Sequence, residues 1–292
     1  MSNFTRRTFL RGTLASAIGA TLAGSVSFAE DARTAGRWKK SMKYDMVNFG
    51  SSVDERFDII KSVGFEGVEI NSPSDIDKQA AVKAAEQTGV KIHGVIDSIH
   101  WKDTLSDPDP AVRARGIEGL KTALHDAKTY GADTVLLVPG KVTKEITYDD
   151  VWNRSQEEVR KVIPLADELG VKIAIEVVWN GFITKPEQLV KYVDAFDTKT
   201  VGAYFDCSNM IKFGVPSAEW IRQLGPRMLK ADFKGYSKKN GWVKIGDGDE
   251  DWPEVLKALD EVNYHSYLTA EVGAKDLDEL KDIYARMTKV LG

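Results

Sequence analysis

KIAIE, at residues 172–176, is the first of four short apolar runs that each carry an acid at or near the carboxyl end. The other three runs are VGAYFD at 201–206, MLKADFK at 228–234 and YLTAE at 267–271. By residue number, their acids lie 30, 26 and 39 positions apart, at Glu176, Asp206, Asp232 and Glu271. Each interval has room for one helix and its loops. The pattern therefore predicts consecutive strand–helix units that bring all four acids to one rim of a parallel sheet.

The same alternation extends toward the amino terminus. Four further apolar runs predict strands at 44–49, 67–71, 91–97 and 134–139, and their near-continuous, β-branched character is typical of parallel strands buried on both faces. Helical patterns lie near residues 54–63, 75–88, 109–130, 148–169, 185–195, 216–224, 251–262 and 276–290. Eight strands, each followed by a helix, predict an α/β protein with a single (β/α)8 TIM barrel. An open doubly wound sheet is the alternative, but its glycine-rich phosphate loop is missing after the first predicted strand.

The first 29 residues have the pattern of an export signal. Arg6 and Arg7 stand in TRRTFLR at 5–11, a small-residue apolar stretch follows at 12–28, and SFA at 27–29 is a cleavage motif. The pattern predicts a twin-arginine signal peptide at 1–29, a partner in the twin-arginine export machinery, and a periplasmic barrel domain at 30–292. An uncleaved membrane anchor is disfavoured, because the stretch is short and only weakly apolar.

Charge and cysteine content narrow the function classes. The formal charge of −4 becomes −7 when residues 1–29, which hold three arginines and no acids, are removed. An acidic chain of this kind predicts no nucleic-acid partner and no attraction to an anionic membrane. Cys207 is the only cysteine, so an internal disulfide is excluded. The remaining 263 residues are a usual length for one eight-stranded barrel. Nothing in the sequence predicts the oligomeric state.

Four carboxylates on one rim repel one another unless a cation binds between them. Glu176, Asp206, Asp232 and Glu271 are therefore the predicted ligands of one divalent metal ion. Ligation by oxygen alone favours magnesium or manganese and leaves calcium open. Zinc is less favoured, because no histidine ligand is apparent.

Five motifs resemble one known family. IAIEVVWN at 173–180, YFDCSN at 204–209, LKADFKGYS at 229–237, GDGDEDW at 246–252 and LTAEV at 268–272 resemble the sugar (phosphate) isomerase and epimerase branch of the xylose isomerase-like TIM barrels. The resemblance covers essentially the whole mature chain and includes exported relatives. It implies one divalent metal held by a Glu, an Asp, a His and a second Glu. Glu176, Asp206 and Glu271 match three of these positions, and Asp232 stands where the family commonly has histidine.

Candidate catalytic roles follow from the chemistry that the resemblance implies. A metal that binds a carbonyl and a neighbouring hydroxyl acidifies the adjacent C–H, and two carboxylates can remove and return that proton. Glu176 and Glu271 are the candidates, with pure metal ligation as the alternative. His100 is predicted to polarise or protonate a sugar oxygen. Lys234, on the same side of its strand as Asp232, is predicted to offset negative charge and to take part in catalysis.

Two tryptophans and two asparagines are candidate sugar contacts. Trp101 and Trp179 would supply apolar stacking faces, and Asn180 and Asn209 would supply amides for hydroxyl groups. Asn209 also stands where some relatives have a histidine. Either tryptophan can alternatively be core packing. The other histidines are predicted to be structural or solvated: His93, His125 and His265.

These expectations favour a metal-dependent isomerase or epimerase acting on a small sugar or keto-sugar. An eliminating lyase or dehydratase of a keto-sugar or 3-keto-glycoside uses the same first proton transfer and stays open. A non-catalytic periplasmic sugar-binding protein is a further alternative, in which the carboxylates would be expendable. The related apurinic-site endonucleases need many histidine ligands and a basic face, which four histidines and an acidic chain disfavour.

Overall fold

Eight parallel strands close into a barrel within the computed structural model, which describes residues 37–292. Each strand is followed by a helix that packs outside the barrel. The prediction of a single (β/α)8 TIM barrel is confirmed. The predicted signal peptide at 1–29 lies outside the described residues.

The strands and helices alternate along the chain. The strands are β1 Lys39–Lys43, β2 Gly67–Ser72, β3 Lys91–Asp97, β4 Thr134–Leu137, β5 Lys172–Glu176, β6 Val201–Asp206, β7 Met228–Phe233 and β8 Tyr267–Ala270. The helices are α1 Val53–Val63, α2 Lys78–Thr88, α3 Pro110–Tyr130, α4 Tyr148–Leu169, α5 Pro186–Asp194, α6 Ser217–Leu224, α7 Trp252–Glu261 and α8 Leu277–Leu291. None of these described helices is long and apolar enough to cross a bilayer.

The first strand was predicted wrongly at 44–49. The structure has β1 at Lys39–Lys43, and Tyr44–Met46 forms a short 3-10 helix. The reason is that Ser41 and Lys43 face the barrel interior, where the Ser41 hydroxyl lies 2.6 Å from His93 Nε2 and Lys43 pairs with Glu69. A strand with polar residues on its inward face has no continuous apolar run, so the apolar pattern could not identify it.

The main hydrophobic core lies between the outside of the barrel and the helices. Inside the barrel, Leu136, Ala174 and Tyr204 form a separate small apolar cluster. Below the carboxyl rim the interior also holds charged and polar side chains, among them Lys43, Glu69 and His93, which are all nearly inaccessible to solvent. Burial of such groups is tolerated only when they pair with one another. The barrel interior is therefore a polar network beneath the carboxyl rim.

Strand register carries the four acids to that rim. Glu176 ends β5 opposite Tyr204, and Asp206 ends β6 opposite Asp232 of β7. Glu271 follows β8 directly, where its backbone N–H donates to the Phe233 carbonyl at 3.1 Å. Because all eight strands are parallel, these positions share one face of the barrel.

A two-stranded hairpin stands on the same rim after β7. Tyr236–Ser237 pairs antiparallel with Gly241–Trp242, and we call residues 236–242 the rim hairpin. The Tyr236 N–H donates to Glu250 Oε1 at 2.7 Å, and the Asp249 N–H donates to the Tyr236 carbonyl at 2.8 Å. These bonds fasten the hairpin to the loop that leads into α7.

Candidate active site

Four carboxylates converge on the carboxyl rim. One oxygen from each of Glu176, Asp206, Asp232 and Glu271 lies within 4.8 Å of the others. Glu176, Asp206 and Asp232 are buried, and Glu271 is partly exposed. Asp206 is oriented by its own loop, because Oδ1 accepts the backbone N–H groups of Ser208 and Asn209, each at 2.7 Å.

Two lysines enter this acidic group. Lys234 Nζ lies 3.1 Å from Asp206 Oδ2 and forms a close ion pair with Glu271 Oε2. Lys43 Nζ lies 3.0 Å from Asp232 Oδ2 and 2.7 Å from Glu69 Oε2. The four acids and Glu69 carry five formal negative charges, against which the two ammonium groups supply two positive ones. Negative charge remains in excess, so a cation is favoured between the carboxylates.

The buried carboxylate oxygens fit a metal with oxygen ligands. Asp206 Oδ2, Asp232 Oδ2 and Glu271 Oε2 are contacted by lysine ammonium groups and by no other donor in the described chain. Two ammonium groups do not neutralise the four carboxylates, and a divalent cation can offset the remaining charge by direct coordination. The donor set is entirely carboxylate, which suits magnesium or manganese better than zinc.

The two glutamates have opposite pKa shifts. Burial, followed by the charges of Glu271 and Asp232, raises the pKa of Glu176 well above its usual value. Burial acts to raise the pKa of Glu271 as well, but the ammonium groups of Lys234 and Lys43 outweigh it and lower that pKa. Two carboxyl groups whose pKa values are driven apart are suited to act as an acid and a base.

Asp232 belongs to a hydrogen-bonded network that the sequence did not predict. The Tyr204 hydroxyl lies 2.7 Å from Asp232 Oδ1 and 2.8 Å from Glu69 Oε2, and Lys43 donates to the same hydroxyl at 3.1 Å. Burial acts to lower the pKa of Lys43, but the charges of Asp232 and Glu69 raise it well above its usual value. Lys43 is therefore a permanent buried cation beside Asp232. One signal was present in the sequence, since Glu69 interrupts the apolar run GVEIN and a buried acid needs a partner.

A cavity of about 370 Å³ opens beside these acids. Its wall includes Lys43, Asp97, His100, Trp101, Glu176 and Glu271. A larger groove of about 550 Å³ lies between α6 and α7 and contacts none of the four rim acids. Cavity volume alone therefore does not identify the active site. The smaller cavity has the size and the convergent polar groups of a small-molecule site.

His100 is held neutral in this cavity. Burial, followed by the charge of Lys43, lowers the pKa of His100 to about 4. Its Nδ1 faces the Val138 N–H at 3.4 Å, and its ring packs edge-on against Trp101 at 5.4 Å between centroids. A neutral imidazole at this position can donate an N–H or accept a hydrogen bond, but it does not supply a proton as an imidazolium ion.

The four predicted sugar contacts occupy different positions relative to the cavity. Trp101 lines the cavity and is 51% exposed, whereas Trp179 stands outside the cavity wall. The Asn180 amide donates to the Gly140 carbonyl at 2.7 Å and accepts the Phe182 N–H at 3.1 Å. The Asn209 amide donates to the Val177 carbonyl at 3.3 Å. Both asparagine side chains thus contact loop backbone, and the sugar-binding roles of all four residues stay predictions.

Replacing Asp206 with asparagine should weaken metal binding on the order of a hundredfold or more, because a charged oxygen ligand is lost from a shared site. Calorimetric titration with manganese should give about one ion per chain for the wild-type protein. Asp97→Asn is the matched control, since Asp97 lines the cavity but lies outside the four-acid group. Equal manganese affinity in the wild-type and Asp206→Asn proteins would show that the metal does not bind here.

Replacing Asp232 with histidine should keep a metal site and shift its preference toward zinc or cobalt. Imidazole nitrogen suits those ions better than a fourth carboxylate does. The measurement is competitive loading with manganese, cobalt and zinc, followed by elemental analysis of the bound metal. If Asp232→His binds the three metals with the wild-type selectivity, Asp232 is not a metal ligand and serves only to pair with Lys43.

Comparison with known proteins agrees with this fold. The family described as the xylose isomerase-like TIM barrel matches residues 57–291. The L-ribulose-5-phosphate 3-epimerase of Escherichia coli (strain K12) is 24% identical over 258 residues, which cover 80% of this chain and 90% of that protein.

Solved structures have the same barrel. The 3-keto-D-glucoside 4-epimerase of E. coli superimposes with a TM-score of 0.72 at 15% identity, covering 87% of this chain and 98% of that one. The IolI protein, solved with a bound zinc atom, superimposes with a TM-score of 0.74 at 17% identity, covering 87% and 98%. At these identities the structural likeness shows the fold.

Proposed function

This chain belongs to the xylose isomerase-like TIM barrel family, and on that premise we propose that it is a metal-dependent isomerase or epimerase of a sugar or keto-sugar. The reaction is a proton transfer at the carbon next to a carbonyl. One observation carries the proposal: Glu176 and Glu271 share a cavity wall and belong to one four-carboxylate cluster. The names of the relatives, which include sugar epimerases acting on a phosphosugar and on a keto-glucoside, support this reaction class.

The four acids would hold the metal, with manganese or magnesium as the ion that the carboxylate oxygens favour. When bound, the ion would polarise a substrate carbonyl and so acidify the neighbouring C–H. Lys234 stays between Asp206 and Glu271 as a fixed positive charge, since neighbouring carboxylates raise its pKa above the usual value in spite of burial. Its part in catalysis is to keep Glu271 ionised and oriented.

Glu271 is the base in this proposal. Because its pKa is lowered, it is a carboxylate near neutral pH and can accept the proton from the acidified carbon. Glu176 lies on the same cavity wall and would return a proton to the sugar. Return of a proton to the opposite face of the same carbon inverts that centre, which is epimerisation. Return to the neighbouring carbon of an enediol gives isomerisation.

Charge on the cavity wall favours a sugar without a phosphate group. Asp45, Asp97, Glu176 and Glu271 line the cavity, and the ammonium group of Lys43 on the same wall is already paired with Glu69 and Asp232. No positively charged side chain on this wall is left unpaired to bind a phosphate dianion, whereas hydroxyl groups can donate hydrogen bonds to its carboxylates. The neutral His100 imidazole offers a polar contact to a sugar ring in the cavity, and the exposed Trp101 ring offers an apolar one.

An eliminating lyase remains the second candidate function. The observation that favours it is the position of Glu176 on the cavity wall, because a carboxyl group that returns a proton to carbon can instead donate it to a departing oxygen. Incubation of manganese-loaded protein with unphosphorylated keto-sugars and a 3-keto-glycoside, followed by NMR of the products, separates the two. An epimer or isomer supports the proposed function. An unsaturated or dehydrated product supports the lyase, and bound but unchanged sugar supports a non-catalytic binding protein.

We propose that the protein works in the periplasm after twin-arginine export, on the basis of Arg6 and Arg7 and the apolar stretch that follows them. Replacing both arginines with lysine should leave the precursor unprocessed in the cytoplasm. Wild-type protein should appear in the periplasmic fraction with the mass expected after loss of residues 1–29. Arg11→Lys, which leaves the arginine pair intact, is the control. Equal processing of the double-lysine variant would exclude this export route.

A further inference from the structure

Three aromatic rings form an open surface on the carboxyl rim. Trp179 and Trp242 stack at 4.9 Å between centroids with a 17° interplanar angle, and Tyr236 meets them edge-on at 5.1 and 5.2 Å. We call Trp179, Tyr236 and Trp242 the rim platform. Trp179 is 38% exposed and Trp242 is 50% exposed. Large apolar rings that stay exposed together mark a binding surface.

The rim platform is held in place from both sides. Trp179 Nε1–H donates to the Asn209 carbonyl at 2.6 Å, and the Asn209 N–H in turn donates to Asp206. Tyr236 and Trp242 belong to opposite strands of the rim hairpin. The rings therefore do not need to be ordered when a ligand arrives, which reduces the entropic cost of binding.

The platform adjoins the acids but lies outside the cavity. Lys234 Nζ is 5.0 Å from the centre of the Trp242 ring and also contacts Glu271. None of the three platform residues lines the 370 Å³ cavity. That volume is near the lower end for small-molecule sites. Lys234 thus links the platform to Glu271, which lines the cavity.

The chemistry of the platform fits a second sugar ring. The exposed half of Trp242 can pack against the apolar C–H face of a pyranose, whereas Trp179 is stacked on Trp242 and has Lys212 over its ring. Lys212 Nζ lies 4.2 Å from the centre of the Trp179 ring and pairs with no carboxylate in residues 37–292, so its N–H groups are free to bind hydroxyls. A sugar ring presents both an apolar face and a hydroxyl edge, and the platform supplies a partner for each.

We propose that the rim platform is a second sugar subsite, so that the substrate is a glycoside whose reacting ring enters the cavity and whose attached ring lies on Trp179, Tyr236 and Trp242. This inference rests on the proposed function for the ring in the cavity. It assigns the attached ring to residues that the reaction itself does not use.

Calorimetry on the magnesium-loaded full chain tests the subsite with cellobiose, maltose and trehalose as probes. Each disaccharide is compared with methyl α- or β-D-glucopyranoside, which keeps one ring and removes the other. At least one disaccharide should bind about tenfold more tightly than its methyl glycoside. Trp242→Ala should reduce that preference about five- to tenfold, which is the range expected for one aromatic contact.

Two further variants complete the test. Trp242→Phe should keep most of the preference, and Leu277→Ala, an exposed apolar truncation outside the cavity wall, should keep all of it. Saturation-transfer NMR on the wild-type protein gives a measurement that does not depend on a variant: irradiating the aromatic protons should label the attached ring. The subsite is overturned if no disaccharide is preferred, or if the preference survives Trp242→Ala.

The experiments distinguish a failure of the second sugar subsite from a failure of the proposed function. Trp242-dependent disaccharide binding without proton exchange in any sugar would keep the subsite and reject the isomerase or epimerase chemistry. Proton exchange in a monosaccharide without any disaccharide preference would keep the chemistry and reject the subsite.

Discussion

Replacing Glu271 with glutamine should slow exchange of the substrate's carbon-bound proton with solvent by a hundredfold or more, in protein that is saturated with metal and still binds sugar. The expected factor is that of a lost general base. The amide keeps an oxygen that can ligate, whereas it cannot accept the proton. The measurement is the rate of deuterium incorporation in heavy water, with metal content and sugar affinity determined on the same sample.

Glu118→Gln makes the same chemical change at an exposed position on α3. In this control variant the substrate proton should exchange with solvent at the wild-type rate. Glu176→Gln should also lose exchange if the two glutamates act on opposite faces of the sugar. If only one base is needed, Glu271→Gln alone should show the loss. A wild-type rate in the metal-saturated Glu271→Gln protein would leave Glu271 as a ligand and remove it as the base.

Replacing Lys43 with methionine should lower the free energy of unfolding by about 3–5 kcal/mol, the range found when one partner of a buried ion pair is removed. Lys43 is buried and contacts Glu69, Asp232 and Tyr204 inside the barrel. Its loss leaves two buried carboxylates without their cation. Urea unfolding of the metal-free protein measures the effect, because a bound metal would mask part of it.

The double variant Lys43→Met/Glu69→Gln tests whether the destabilisation comes from unpaired charge. Removing the Glu69 charge should recover part of the loss, because the remaining groups are then closer to neutral. Lys244→Met, which breaks an exposed pair with Asp282, is the control and should unfold near the wild-type midpoint. An unfolding free energy for Lys43→Met within about 1 kcal/mol of wild type would contradict the assigned network.

The rim of the barrel was predictable because each of its acids follows an apolar run. A strand buried on both faces reads as a continuous apolar segment, and the acid that ends it stands out. Glu176 and Asp206 show this most clearly, since KIAIE and VGAYFD contain one acid each, at the last position. Because the strands of such a barrel are parallel, their carboxyl ends lie on one face, and this can be predicted without knowing the long-range contacts.

The interior of the barrel was not predictable in the same way. Lys43, Glu69 and Tyr204 come from strands β1, β2 and β6, and the contact between Lys43 and Tyr204 spans 161 residues. Polar residues on the inward face of β1 removed the signal that would have identified that strand. The packing of Trp242 on Trp179 likewise depends on a hairpin that brings together residues far apart in sequence. Such pairs are set by tertiary closure and not by local pattern.

Deuterium incorporation into an unphosphorylated keto-sugar is the most direct test of the central claim that the rim acids bind a metal and transfer a proton. The protein is incubated in heavy water with the sugar, once after chelation of metal and once after reloading with manganese. We expect deuterium at the carbon next to the carbonyl, together with an epimer or isomer, in the reloaded sample alone. Equal deuterium in both samples, or none in a reloaded sample that binds the sugar, would contradict it.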